Sequence, residues 1–337
     1  MHDIGTPRRT FTRRTSIASA GAVAAALLLA ACGSDSGSTA SSSSGAGGSG
    51  TLTTVSIGLI PILDVAPAYL GIDKGFFKDE GLDLKPELAQ GGAAIVPGVV
   101  SNQYQFGFSN TTSLLLATDK GLPIKAIASG NQSTTDSADD FAGVLVKADS
   151  AIKSPKDLAG KKVAVNTLNN INTTTVKELV RKDGGDPSTI NFVELAFPDT
   201  PAAVLKGDVD AGQVVEPFLT TGIDQGLRTI GSNYAGIEPN LQVALYFASQ
   251  AYIQSNPDQA KAFTAAMNKS LTYAQDHPDE ARAILLKYTK IEDATTKKVH
   301  LPVWTDQINT DSVKMLADLG TQDKLFSNTP DVTKLLP

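Results

Sequence analysis

At 337 residues, 41% apolar and 19% charged, the chain is long enough for two domains with their own cores and has the composition of a globular protein. The net charge is −6, from 29 Lys+Arg against 35 Asp+Glu, and no basic block occurs beyond residue 14. That excludes a nucleic-acid surface, which needs clustered cations to neutralise phosphates. Three His and one Cys leave almost no room for a His/Cys metal site and none for an internal disulfide, so neither a metal nor a cofactor is expected.

Arg8, Arg9, Arg13 and Arg14 precede a small-residue apolar run from Ile17 to Ala31. About 15 residues is too short for a ~30 Å hydrocarbon core, so residues 1–31 read as an export signal and not as a transmembrane helix. The run ends in Leu29-Ala30-Ala31-Cys32-Gly33, which resembles the bacterial lipobox, whose Cys becomes the first mature residue and carries a thioether-linked lipid. Arg8-Arg9-Thr10-Phe11 leaves twin-arginine export open beside the general route. Residues 33–50 hold six Gly and eight Ser, so segment 32–50 is expected to be a flexible tether reaching on the order of 25 Å. Removal of residues 1–31 leaves 25 basic and 34 acidic groups. The expected product is an extracytoplasmic body anchored to the cell membrane through a lipid on Cys32.

From Leu52 onward, β-type runs alternate with helical patterns. The expected strands of the first set are 55–60, 82–88, 105–109 and 123–129, with helices over 68–74, 93–100 and 112–121; Pro97 interrupts the second of these. A second set follows the polar stretch 130–140: strands at 143–148, 161–166, 190–196 and 209–215, and an amphipathic helix at 173–185 stopped by Gly184-Gly185. The strand 242–249 then returns the chain to its first set, after which helices dominate. Asn256 and Pro257 start the best of these, with Ala260, Phe263, Met267, Leu271 and Ala274 on one face. Alternation of this kind predicts an α/β protein with parallel-rich sheets in two lobes: 51–142 plus 240–337, and 143–239. The ligand of such a fold sits in the cleft at the hinge.

No phosphate-binding glycine loop, HExxH pair or nucleophile elbow occurs, and His277 and His300 fall in polar, surface-type patterns, so a binding protein and not an enzyme is expected. Hydroxyl- and amide-rich segments instead follow the strands: 109–113, 130–134 and 166–174. Two lead into helices, whose free N–H groups can hold an anionic or carbonyl oxygen, although Ser, Thr and Asn there also serve as helix caps. Asp64, Asp136 and Glu216 are the carboxylates at possible cleft positions; Glu216, before Pro217, either faces ligand or bridges the hinge. Trp304 and Phe326 read as packing residues.

Five ordered blocks carry a family resemblance: 66–92 (APAYLGIDKGFFKDEGLDLKPELAQGG), 105–129 (QFGFSNTTSLLLATDKGLPIKAIAS), 154–166 (SPKDLAGKKVAVN), 207–218 (GDVDAGQVVEPF) and 256–285. Together they resemble the nitrate/sulfonate/taurine solute-binding proteins of ABC importers, a family that includes thiamine-pyrimidine binders. The resemblance implies a type II periplasmic-binding fold and a monomer that delivers a small molecule to a membrane permease with its cytoplasmic ATPase. It also implies ligand contacts at Leu63, Asp64, Gly91, Gly92, Ser109, Asn110, Thr111, Asn131, Thr167, Asn170, Thr173 and Glu216. A small organic anion (sulfonate, carboxylate or nitrate-like) is expected, with a neutral heterocycle such as a thiamine-type pyrimidine, or an enzyme on the same fold, as the alternatives. Two departures accompany it: NTLNNINTTT replaces the commoner Gly/Ser-rich opening of the second-lobe helix with no Arg beside it, and the cysteine cluster of the pyrimidine-forming enzymes is absent.

Overall fold

The computed structural model describes residues 51–337; the expected export signal, Cys32 and the tether lie outside that range. Ten strands occur in chain order: β1 (Thr53–Leu59), β2 (Leu82–Leu88), β3 (Phe106–Asn110), β4 (Ile124–Gln132), β5 (Ala142–Lys147), β6 (Lys162–Val165), β7 (Asn191–Glu194), β8 (Ala211–Val215), β9 (Leu227–Thr229) and β10 (Gln242–Ser249). Helices α1 (Ala66–Asp73), α2 (Phe76–Asp79), α3 (Gly92–Val100) and α4 (Thr111–Asp119) join the first four strands. Helices α5 (Ile171–Lys182), α6 (Thr200–Lys206) and α7 (Phe218–Asp224) serve the middle of the chain. After β10 come α8 (Gln250–Ser255), α9 (Pro257–Asp276), α10 (Pro278–Ala283), α11 (Asp293–Thr296) and α12 (Thr310–Gln322).

The strands form two five-stranded mixed sheets, in the orders β2-β1-β3-β10-β4 and β7-β6-β8-β5-β9. In the first, β1 is parallel to β2 and β3, while β10 is antiparallel to β3 and β4. The second repeats the pattern, with β6 parallel to β7 and β8 and with β5 antiparallel to β8 and β9. The odd strand in each sheet is the one that arrives from the other lobe. A chain entering at the hinge must run away from it, whereas strands joined by right-handed helical crossovers all run toward it. The carboxyl ends of β1, β3, β6 and β8 therefore face the same gap as the amino ends of β5 and β10. This is the periplasmic-binding-protein architecture in two lobes, with crossings at 133–141 and 230–241.

Local chemistry explains most of the elements. The face of α9 expected to be buried is buried, and Phe263 stacks on Phe106 of β3 with ring centroids 3.9 Å apart. Pro97 leaves α3 unbroken to Val100, because in a nine-residue helix its missing N–H removes a single ladder bond. Asn256 does not cap α9 through its side-chain oxygen. The residue also ends α8, and its Nδ2 donates back to the Tyr252 carbonyl at 3.4 Å. Helix α12 carries an amphipathic stripe of Val313, Leu316 and Ala317 that packs near α4, α5 and β10. Among the described residues no helix is long and apolar enough to cross a membrane.

Candidate functional site

Between the lobes lies a cavity of about 30 Å3, walled by Ile60, Ile62, Asp64, Phe108 and Asn110 on the first side. Asn166, Asn170, Asn172, Phe197 and Tyr234 face it from the second lobe and its return crossing. No Lys, Arg or His lines it. The strands place these residues because their carboxyl ends converge here: Asp64 sits in a single 3-10 turn after β1, Asn110 ends β3, and Asn166 follows β6.

Asp64 is 2% exposed. Its Oδ1 accepts from Asn131 Nδ2 at 3.0 Å, while its Oδ2 and the Asn131 Oδ1 have no hydrogen-bond partner among the described residues. Burial pushes the Asp64 carboxyl up to about 7, against the lowering effect of its backbone and Asn131 hydrogen bonds. Trp304 packs behind it as expected, donating its indole Nε1–H to the Asp64 carbonyl at 3.2 Å.

The second-lobe wall is an amide network. Asn170 Nδ2 and Asn172 Nδ2 donate to Asn166 Oδ1 at 2.9 and 2.7 Å, and Tyr234 OH donates to Asn172 Oδ1 at 2.5 Å. Asn170 also caps α5, its Oδ1 accepting from the Asn172 and Thr173 amides at 3.0 and 3.4 Å, while Thr173 Oγ1 exchanges hydrogen bonds with the Asn170 backbone. Asn110 Oδ1 caps α4 through the Ser113 amide at 2.9 Å and accepts from the Ile171 amide of the facing lobe at 3.3 Å. The N-termini of α4 and α5 thus meet across the gap and are held by side-chain amide oxygens.

The other expected contacts are placed differently. Gly91 sits where the lobes touch, since a Cβ there would lie 2.6 Å from Thr167 Oγ1; Gly92 abuts Ser109, whose backbone Cα would be 2.7 Å from an added Cβ. Ser109 is fully buried with a hydroxyl that has no partner among the described residues, and Thr111 Oγ1 donates to the Gln242 carbonyl at 2.7 Å. Leu63 is a core residue whose amide donates to the Glu216 carbonyl at 3.0 Å. Glu216 is fully buried but outside the cavity wall: Oε2 accepts from the Thr220 amide at 3.0 Å, and Oε1 accepts from Thr220 Oγ1 at 2.7 Å and from the His300 amide at 3.2 Å. It ties α7 to the segment before Trp304. Burial raises its pKa as well. Asp136 is exposed and caps a turn through the Ala138 amide at 2.8 Å.

Sequence reasoning passed over four residues. Tyr234 comes from the irregular return crossing, where no periodic pattern marks it. Asn166 and Asn172 stand inside a polar segment that was noted, and only their hydrogen bonds distinguish them from its other amides. Asp140 is the hinge clamp: its Oδ1 accepts from the Thr134 amide at 3.1 Å, and its Oδ2 accepts from the Ala235 amide at 3.0 Å and from Ser232 Oγ, joining the two crossings. Desolvation raises its pKa. Farther out, Arg181 of α5 meets Asp323 beyond α12 at 2.9 Å, and Lys298 meets Asp224 of α7 at 2.8 Å.

The family described as "NMT1/THI5 like" matches residues 63–281. The taurine-binding periplasmic protein of Escherichia coli (strain K12) is 24% identical over 191 residues, 57% of each chain. A 4-amino-5-hydroxymethyl-2-methylpyrimidine phosphate synthase of Aspergillus parasiticus is 24% identical over 218 residues, 61% of each. The matched region therefore spans about three fifths of the length of these curated relatives. Among solved structures, the periplasmic aliphatic sulphonate binding protein SsuA from Escherichia coli superposes with a TM-score of 0.69 at 18% identity, covering 84% of this chain and 96% of that one.

Proposed function

Because the chain belongs to the NMT1/THI5-like family, we propose that it is the solute-binding component of an ABC importer whose ligand is a small hydrogen-bond donor, of which an aminopyrimidine is the type. In this reading the chain is exported, anchored outside the membrane through a lipid on Cys32, and presents its cargo as a monomer to a permease with a cytoplasmic ATPase. It assigns the protein no catalytic step. The lobes, taken as 51–142 plus 240–337 and as 143–239, close about the crossings when ligand bridges them, and the closed state is what the permease recognises.

One observation carries the choice of ligand: Asp64 presents a buried carboxylate oxygen, unpartnered among the described residues, at the wall of a cavity lined by no cationic side chain. A buried charged acceptor left unpaired is costly, and a ligand N–H removes that cost. This departs from the organic anion favoured by the sequence. An anion would use the N-termini of α4 and α5, where Asn110 and Asn170 already hold the first-turn amides. It would also approach an acidic wall. The relatives' names are consistent with both chemistries, since one is named a taurine-binding protein and the other an aminopyrimidine phosphate synthase. A thermal-shift comparison of 4-aminopyrimidines against methanesulfonate and nitrate tests the reading. Stabilisation by the aminopyrimidines that disappears in Asp64→Asn supports it; stabilisation by the anions that survives in Asp64→Asn overturns it.

A further inference from the structure

A second concavity between the lobes shares no residue with the wall around Asp64. It has a volume of about 240 Å3 and lies between the end of α4, the first turns of α5 and the turn after α12. Lys120, Lys177 and Lys324 line it, one from each of these elements, on a chain whose net charge is −6. The lining holds one carboxylate, Asp323, and that group is already engaged, since Arg181 meets its Oδ1 at 2.9 Å. Lys177 Nζ lies 3.8 Å from Asp323 Oδ2, outside hydrogen-bond distance, and Lys120 and Lys324 have no ion-pair partner among the described residues. The hydroxyls of α5 divide in a similar way. Thr173 and Thr175 donate to the backbone carbonyls of Asn170 and Ile171 at 2.9 and 2.7 Å. Thr174, 2% exposed and lining the concavity, makes no hydrogen bond through Oγ1 among the described residues. Three ammonium groups and a buried, unused hydroxyl around one space match an oxyanion, which accepts from several N–H and O–H donors at once. The first-turn amides of α5 take no part, because Asn170 holds them.

We propose that this concavity is an accessory site for a small free oxyanion of the phosphate or sulfate class, separate from the solute site, and that its occupant ties α5 to α4 and α12. An ion held from both lobes binds their docked arrangement better than the separated one. Occupancy therefore favours closure, and closure around a solute raises the affinity for the ion by the same factor. Thr173, expected at the solute cleft, lines this site instead.

Thermal-shift and calorimetric titration of the full chain with sodium phosphate and sodium sulfate, against sodium chloride at matched ionic strength, tests the site. Phosphate or sulfate should raise the melting temperature where chloride does not. Lys120→Gln combined with Lys324→Asn should weaken binding about tenfold, the scale of two partly exposed charge contacts. The second exchange suits the left-handed backbone at that position, φ 61°. Thr174→Val, which removes the hydroxyl and keeps the shape, should weaken binding about fivefold from the facing lobe. In chloride these variants should melt with the wild type, and Lys120→Arg should bind as the wild type does. No response beyond that to chloride, or binding that the lysine substitutions and Thr174→Val leave unchanged, overturns the site. A loss in the lysine variant with none in Thr174→Val overturns the bridge between lobes and reduces the effect to screening of one surface. Binding to phosphatidylglycerol vesicles with no response to free phosphate or sulfate overturns the assignment to a free ion.

Discussion

Asp64 and Glu216 are two carboxylates buried to nearly the same depth, at 2% and 0% exposure, and desolvation raises the pKa of both. By burial and titration alone they are twins. Their hydrogen bonds separate them. Glu216 has both oxygens filled by Thr220 and the His300 amide, so it is a structural tie between α7 and the opposite lobe. Asp64 has one oxygen held by Asn131 and the other open at a cavity wall. The raised pKa does not tell the two apart, since structural networks perturb titration as functional sites do; the open oxygen does.

The comparison breaks most directly by removing one charge at a time. Asp64→Asn should weaken binding of 4-aminopyrimidines by about 100-fold, the scale of ~2–3 kcal/mol for a charge-assisted hydrogen bond, while the free protein melts no lower than wild type. Glu216→Gln should do the reverse, lowering the melting temperature by several degrees and weakening binding only in proportion to the disturbed hinge. Equal effects of the two variants on affinity, measured by titration, would erase the distinction.

Proton linkage sharpens it. A carboxyl whose folded pKa is raised from 3.8 to about 7 binds its proton more tightly in the folded than in the unfolded chain. Its contribution to stability is complete below about pH 3.8 and is lost as pH rises through about 7. The ligand-free protein should therefore melt lower at pH 8 than at pH 5, with Asp64 contributing on the order of a few kcal/mol, and Asp64→Asn should make that slope shallower in calorimetry while leaving the part that comes from Glu216 and Asp140. Affinity for a neutral donor ligand should move the other way, rising from pH 5.5 to 8 as the carboxylate ionises.

Smaller effects come from the lobe contacts. Gly91 lies in extended backbone, so strain is not at issue there; Gly91→Val places a side chain against Thr167 and should cost about tenfold in affinity by holding the lobes apart, with scattering showing less compaction on ligand addition. Asp323→Ala removes the partner of Arg181 and Lys177 across the gap. These groups are partly exposed, so a loss of no more than about fivefold is expected, shrinking at high salt.

The fold was largely legible in the sequence because its strands are short, strongly apolar and punctuated; the strands at 82–88 and 242–249 were placed to the residue. Elements held by tertiary context alone were not. The three-residue β9 has no periodicity to read, and α7 follows directly from Glu216-Pro217 without a polar cap. The polar segments pointed to strand ends that meet at the cavity, and of the residues expected to contact ligand, Asp64, Asn110 and Asn170 line it while Asn131 bonds Asp64. Which of them remain free for a ligand was not legible, because that depends on whether a helix cap or a facing amide already occupies each oxygen. Tyr234 was invisible for the same reason, since its role comes from a partner 62 positions away.

The return of β10 to the first sheet also orders events in time. The edges of β3 and β4 that flank it stay open until residues 242–249 have been made, and Thr111 waits for the Gln242 carbonyl 131 positions downstream. Every strand of the second sheet, by contrast, lies within 142–229. The middle of the chain can consolidate while the outer parts are still searching, so refolding should protect the amides of β6 and β8 before those of β3, in pulsed hydrogen exchange. A newly made chain would then acquire the gap between its lobes last, when the second crossing closes.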